Sequence, residues 1–154
     1  AEATNSGQGQ LIVVRKPIPQ SVVIFGQNGI KRDDPDFYTA YVLNHVLGGG
    51  GFSSRLTEEI REKRGLVYSV YSYLNPMDHS GLIMGGLGTQ NARVAESLDI
   101  VRSEWRRISE HGIASDELKS AKTYLNGSFP LRLDSSLRVA RMLVAIQVHL
   151  SLIL

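Results

Sequence analysis

The spacing of apolar residues changes several times along the chain, and each change predicts an element. Leu11–Val14 is a short apolar run, read as a strand, with Pro17 and Pro19 in the turn after it. Ser21–Gly26 is a second β-rich run. Asp33-Asp34-Pro35-Asp36 then supplies an acidic helix start, and the helix that follows turns Phe37, Tyr41, Val42 and Leu47 inward. Gly48-Gly49-Gly50-Gly51 predicts its end, because glycine has the weakest helix propensity after proline. A second helix is expected from Ser53 or Ser54 to Lys63, stopped by Gly65.

From Leu66 to Leu74 the period is two. It places Val67, Ser69, Tyr71 and Tyr73 on one face and Tyr68, Val70, Ser72 and Leu74 on the other. Asn75-Pro76-Met77-Asp78 reads as a turn, and Gly81–Gly88 returns as an antiparallel partner. Val94, Leu98, Val101, Trp105 and Ile108 then form one helical stripe that ends at Gly112. Ser115, with Asp116 and Glu117 behind it, is expected to cap a helix burying Leu118, Ala121 and Leu125, interrupted at Asn126-Gly127. A last helix runs from Ser135 to about Val148. Strands grouped with strands and helices with helices predict an α+β fold, with helices covering one face of a mainly antiparallel sheet.

Composition narrows the function classes. The chain has 154 residues, of which 42% are hydrophobic and 21% charged, a balance that suits one globular domain. Its net charge of +2 comes from interleaved signs and leaves no nucleic-acid footprint. The absence of cysteine excludes thiolate metal sites and cysteine nucleophiles. No apolar run has the length of a membrane span, and the first residues lack the basic start and apolar core of a signal peptide. Residues 1–10 read as a linker or flexible arm and residues 11–154 as a single domain.

The candidate chemistry is sparse. His45, His79, His111 and His149 are too widely spaced for a zinc helix, and neither His-Glu-x-x-His nor its inverse occurs, so no metal site is expected. Gly48–Gly51 is followed by Phe52-Ser53-Ser54 rather than by the Lys-Ser or Lys-Thr of a phosphate loop. The run reads either as a helix–helix link or as a loop beside a binding site. Arg61, late in a helix, and Tyr68, early in the next strand, could offer two fixed donors to a peptide carbonyl or an oxyanion. Spacing alone equally allows an Arg that complements a helix dipole and an ordinary strand Tyr.

The stretch from Leu43 to Tyr73 carries a stronger signal. Phe52-Ser53-Ser54-Arg55-Leu56 followed by Arg61-Glu62-Lys63-Arg64-Gly65-Leu66-Val67-Tyr68 closely resembles the second-domain signature of pitrilysin-type zinc peptidases. This is the superfamily of insulin-degrading enzyme and mitochondrial processing peptidase. Weaker similarity runs from about Ser21 to Ala145, through Gly88-Thr89 and Ser128-Phe129-Pro130.

The resemblance implies paired homologous α+β domains closing around a chamber. The zinc and its inverted motif are expected on the first domain, and none in this chain. Arg61 and Tyr68 fall on the Arg and Tyr that, in the family, hold the substrate backbone and stabilise the tetrahedral intermediate. Gly48, Gly49, Gly50, Gly51 and Phe52 fall where one family member has a glycine-rich loop linked to substrate entry.

The expected partners are a zinc-bearing homologous domain or subunit and a peptide substrate. On this reading the chain is inactive alone. The alternative is a regulatory or structural non-peptidase member. Family domains continue past Gln147 with a helix and a closing strand, so the end at Val148–Leu154 reads as truncation, and an uncovered edge would favour self-association. A bacterial envelope or cytoplasmic setting, or a mitochondrial one, fits the relatives.

Overall fold

The computed structural model describes Ala3 and residues 9–150. Most of the expected arm at residues 1–10 and the last four residues of the expected truncated end lie outside the described residues. The chain divides into two compact units between Leu118 and Lys119.

The first unit is built on a three-stranded antiparallel sheet in the order β1-β3-β2, with β1 (Gln20–Asn28), β2 (Val67–Pro76) and β3 (Gly81–Gln90). β3 is central. It pairs with β1 from Gln20↔Gln90 to Asn28↔Leu82, and with β2 down to Pro76↔Gly81. The α+β reading holds.

One face of the sheet meets helices. Val23 and Phe25 of β1, Val67 and Val70 of β2 and Leu87 of β3 pack with Leu47, Leu56, Ile60, Leu66 and Val101. The α2 stripe completes the core: α2 (Val94–His111) places Leu98, Val101, Trp105 and Ile108 against the sheet, with Phe25 and Trp105 edge to face at 6.2 Å. Gly112 stops α2 at φ +69°. The opposite sheet face is open, with Val22, Ile24, Tyr71 and Tyr73 exposed.

Four expectations need correction. Leu11–Val14 is not a strand: these residues pair with nothing in the sheet and are largely exposed. A four-residue apolar run needs a ladder partner to become a strand, and none is offered.

Second, the helix ends inside the glycine run, as expected, but it does not turn Phe37 and Tyr41 into the core. α1 (Phe37–Asn44) continues as a wide π-helical turn, His45–Gly49, in which Val46, Leu47 and Gly48 are buried, whereas α1 itself buries nothing completely. Phe37 and Tyr41 stack on each other at 6.3 Å instead of entering the core.

Third, Ser115 is the first residue of α3 (Ser115–Ser128) rather than its cap. The Ala114 carbonyl accepts from the Leu118 amide, and the Glu117 carboxylate reaches back to the Ala114 amide at 2.7 Å. Fourth, α3 passes through Asn126-Gly127 without a break.

The second unit holds the rest of α3, the short turn Pro130–Leu133 and α4 (Ser136–Leu150). Asp134 pairs with Arg138 at 3.0 Å over the first turn of α4. Among the described residues, no helix is long and apolar enough to cross a membrane.

Candidate functional site

Arg61 belongs to a wide helical segment, Thr57–Glu62, that starts from Arg55-Leu56. Leu56 and Ile60 are fully buried, so the segment is anchored on its inner side while Arg61 stays half-exposed. Gly65 ends it in the left-handed region, φ +59°, which a side chain would strain. The Gly65 amide donates to the Arg61 carbonyl and the Leu66 amide to the Ile60 carbonyl, both at 2.9 Å. This glycine stop turns the chain straight into β2.

Tyr68 is placed by a feature that the alternating pattern concealed. The register steps from Val67↔Thr89 to Ser69↔Gly88, so β2 spends two residues where β3 spends one. Tyr68 is the extra residue of a β-bulge. The expected two faces are therefore out of phase at this end. Val67 is buried along with Val70 and Ser72, and Tyr68 turns out to join the exposed side with Ser69, Tyr71 and Tyr73. Tyr71 and Tyr73 stack beside it at 6.2 Å. A small pocket of about 90 Å³ lies against Tyr68, lined by Gly65, Leu66, Val67, Gln90 and Arg93.

The Arg61 guanidinium carbon stands 5.0 Å from the centroid of the Phe52 ring, which is itself 75% exposed. Such a contact favours a defined orientation by about 0.5–1 kcal/mol at an exposed site. A loose ion pair to Glu62, 3.8 Å and exposed, adds little. Among the described residues no hydrogen bond joins Arg61 to Tyr68. The structure brings Arg61 to the glycine loop and Tyr68 to the open sheet face, on either side of the Gly65 turn.

The glycine run divides in two. Gly48 is buried, and a Cβ there would lie 2.8 Å from the Ser72 amide nitrogen, so helix and strand touch backbone to backbone. Asn44 reinforces this contact: its carboxamide accepts from the Ser72 hydroxyl at 2.8 Å and donates to the Ser72 carbonyl at 3.3 Å. Gly49 sits over Asn44 and Gly50 over His45. Gly51 has φ +60° and open space around it. Ser53 and Ser54 tie the turn down, their hydroxyls donating to the carbonyls of Gly50 (2.9 Å) and Gly51 (2.8 Å). Burial holds the His45 imidazole below its ordinary pKa, which favours the neutral ring. A cleft of about 370 Å³ opens beside it, walled by Phe37, Tyr41 and Tyr73.

Arg55, quoted above only as part of a motif, turns out to be buried and to grip Glu117 with two contacts of 2.6 Å. Nothing in the spacing distinguishes it from the exposed arginines nearby. Among the described residues no three His, Cys, Asp or Glu are grouped to hold a metal ion.

Residues 2–125 match the family described as the peptidase M16 inactive domain. The chain is 40% identical over 128 residues to an uncharacterized zinc protease of Streptomyces coelicolor, a match covering 83% of this chain and 28% of that protein. It is 38% identical over 121 residues to a Helicobacter pylori protein named a non-peptidase homolog, covering 78% of this chain and 28% of the relative. The crystal structure of a peptidase M16 inactive domain from Pseudomonas fluorescens superposes with a TM-score of 0.71 at 41% identity, over 73% of this chain and 27% of that one. The chain thus spans under a third of the length of these relatives. A family match over most of the chain, on a shared fold, makes this protein a member of the peptidase M16 inactive-domain family.

Proposed function

We propose that this chain is the substrate-binding, metal-free half of a zinc endopeptidase, with Arg61 holding the peptide backbone and the Tyr68 hydroxyl donating to the developing oxyanion. The observation that carries this reading is the bulge at Tyr68. Bulges recur beside active sites because they re-aim a side chain, and this one sends a phenol out of the sheet where packing does not require it.

Arg61 is held on the other side of the same turn by Phe52, which gives Gly50, Gly51 and Phe52 a part in shaping the approach of the peptide. Gly48 and Gly49 support that loop by their close packing. The zinc belongs to another domain or subunit, and the two donors here would act on the substrate bound between the halves. Fixed donors in a closed, water-poor chamber act more strongly than in bulk water.

The test is reconstitution. The full-length protein, or this chain with a zinc-bearing M16 domain, is assayed on a quenched peptide. Cleavage that requires both halves, with a raised KM in Arg61→Ala, supports the reading. Cleavage by the zinc-bearing half alone at the full rate contradicts it.

A second reading, a regulatory or structural member without peptidase activity, is favoured by the Helicobacter pylori relative's description as a non-peptidase homolog. A verified zinc-loaded complex that cleaves no peptide would establish it.

A further inference from the structure

A β-bulge disrupts the ladder that would otherwise fix its residues, so contacts flanking the bulge bear on where Tyr68 stands. The residue opposite its leading edge is Thr89, paired with Val67. Thr89 is fully buried on the core face of β3, where an apolar β-branched residue of the same shape would satisfy packing. Its hydroxyl instead donates to the carbonyl of Leu66, two residues before Tyr68. The amide of Leu66 is taken at the same time by the Ile60 carbonyl, next to Arg61. Leu66, itself buried, is thereby held at both backbone groups, one reaching the segment of Arg61 and the other the strand opposite Tyr68.

We infer that Thr89 is a positioning residue: its hydroxyl fixes the entry to the bulge and so sets where the Tyr68 phenol stands. The inference rests on the role proposed above for Tyr68, but the placement itself has a readout that does not depend on catalysis.

Thr89→Val keeps the shape and removes the donor, whereas Thr89→Ser keeps the donor. Both are made in this chain paired with a zinc-bearing M16 domain, with and without Tyr68→Phe. Peptide cleavage is measured alongside fluorine NMR of the fluorotyrosine-labelled chain. Of the six tyrosines, the Tyr68 signal is the one lost in Tyr68→Phe.

Thr89→Val is expected to lower kcat about tenfold at unchanged KM, and to have no further effect once the Tyr68 hydroxyl is gone. It should shift or broaden the Tyr68 signal while leaving the other tyrosines in place, and Thr89→Ser should restore both. A folded Thr89→Val with normal kcat and an unmoved Tyr68 signal overturns the inference. Equal losses in both backgrounds also overturn it, since they make Thr89 structural only. If the Val variant does not fold, the Ser variant decides: a displaced Tyr68 signal there shows that the methyl group, not the hydroxyl, matters. A moved signal in Thr89→Val together with normal kcat in Tyr68→Phe leaves the placement standing and removes the catalytic role.

Discussion

Arg55 and Glu117, far apart in sequence, form a two-pronged ion pair, Nε to Oε1 and Nη2 to Oε2, each 2.6 Å, with the Arg side chain 9% exposed and the Glu side chain 29% exposed. Arg55 also reaches the Gly112 carbonyl at 3.4 Å, so the start of the Arg61 segment is pinned to the corner between α2 and α3. Breaking one side leaves the other charge buried without its partner. Glu117→Gln is therefore expected to cost about 3 kcal/mol at neutral pH, measured by urea unfolding.

The same pair predicts a pH dependence. The hydrogen bonds from Arg55, more than the Ala114 amide and the Arg55 charge, hold the Glu117 carboxyl below its usual range against the opposing effect of burial. A carboxyl depressed in the folded state stabilises the fold above its unfolded value, and that stabilisation is lost as pH falls through the folded value. The gap between wild type and Glu117→Gln should narrow below about pH 4. A gap that stays constant down to about pH 3 would show that the charge is not responsible. Glu59, held low by hydrogen bonds from Lys63 and Arg64, should contribute in the same direction.

Gly48 tests the contact between the helix end and β2. An added methyl group would press on the Ser72 amide nitrogen at 2.8 Å and on the Leu56 side chain at 2.9 Å, with backbone on one side that cannot give way. Gly48→Ala should lose about 2 kcal/mol of stability. A melting temperature unchanged from wild type would mean that the helix and strand are not in backbone contact.

Phe52 tests how Arg61 is held. Removing the ring in Phe52→Ala frees the guanidinium and is expected to raise KM about fivefold at unchanged kcat, matching the loss of one exposed cation–π contact. The effect should vanish in an Arg61→Ala background. An equal effect in both backgrounds would assign Phe52 to direct substrate contact instead.

Much of the fold was legible from periodicity. The α2 stripe from Val94 to Ile108 and the antiparallel strand pair after Leu66 follow the pattern, although β2 runs on through Asn75 and Pro76, which the pattern gave to the turn. What escaped depended on partners distant in sequence. Leu11–Val14 looks like a strand but lacks a neighbour, and the helix reaches as far as Gly49 because Gly48 packs against the Ser72 backbone.

The site shows the same split. Arg61 and Tyr68 are proposed from the signature around them, but a single inserted residue reverses the facing of a strand, and no local pattern announces a bulge. Arg55 and Thr89 escaped for a related reason: their importance lies in Glu117 and Leu66, which only the folded chain brings to them.

The most direct test of the central claim is kcat for Tyr68→Phe in the zinc-loaded, reconstituted enzyme on a quenched peptide, with circular dichroism confirming the fold. The substitution removes one exposed oxygen and no packing. The account predicts a fall in kcat of about 100-fold or more, with KM little changed, as for loss of an oxyanion donor. A kcat within about twofold of wild type would contradict it and leave Tyr68 as an exposed residue of the sheet.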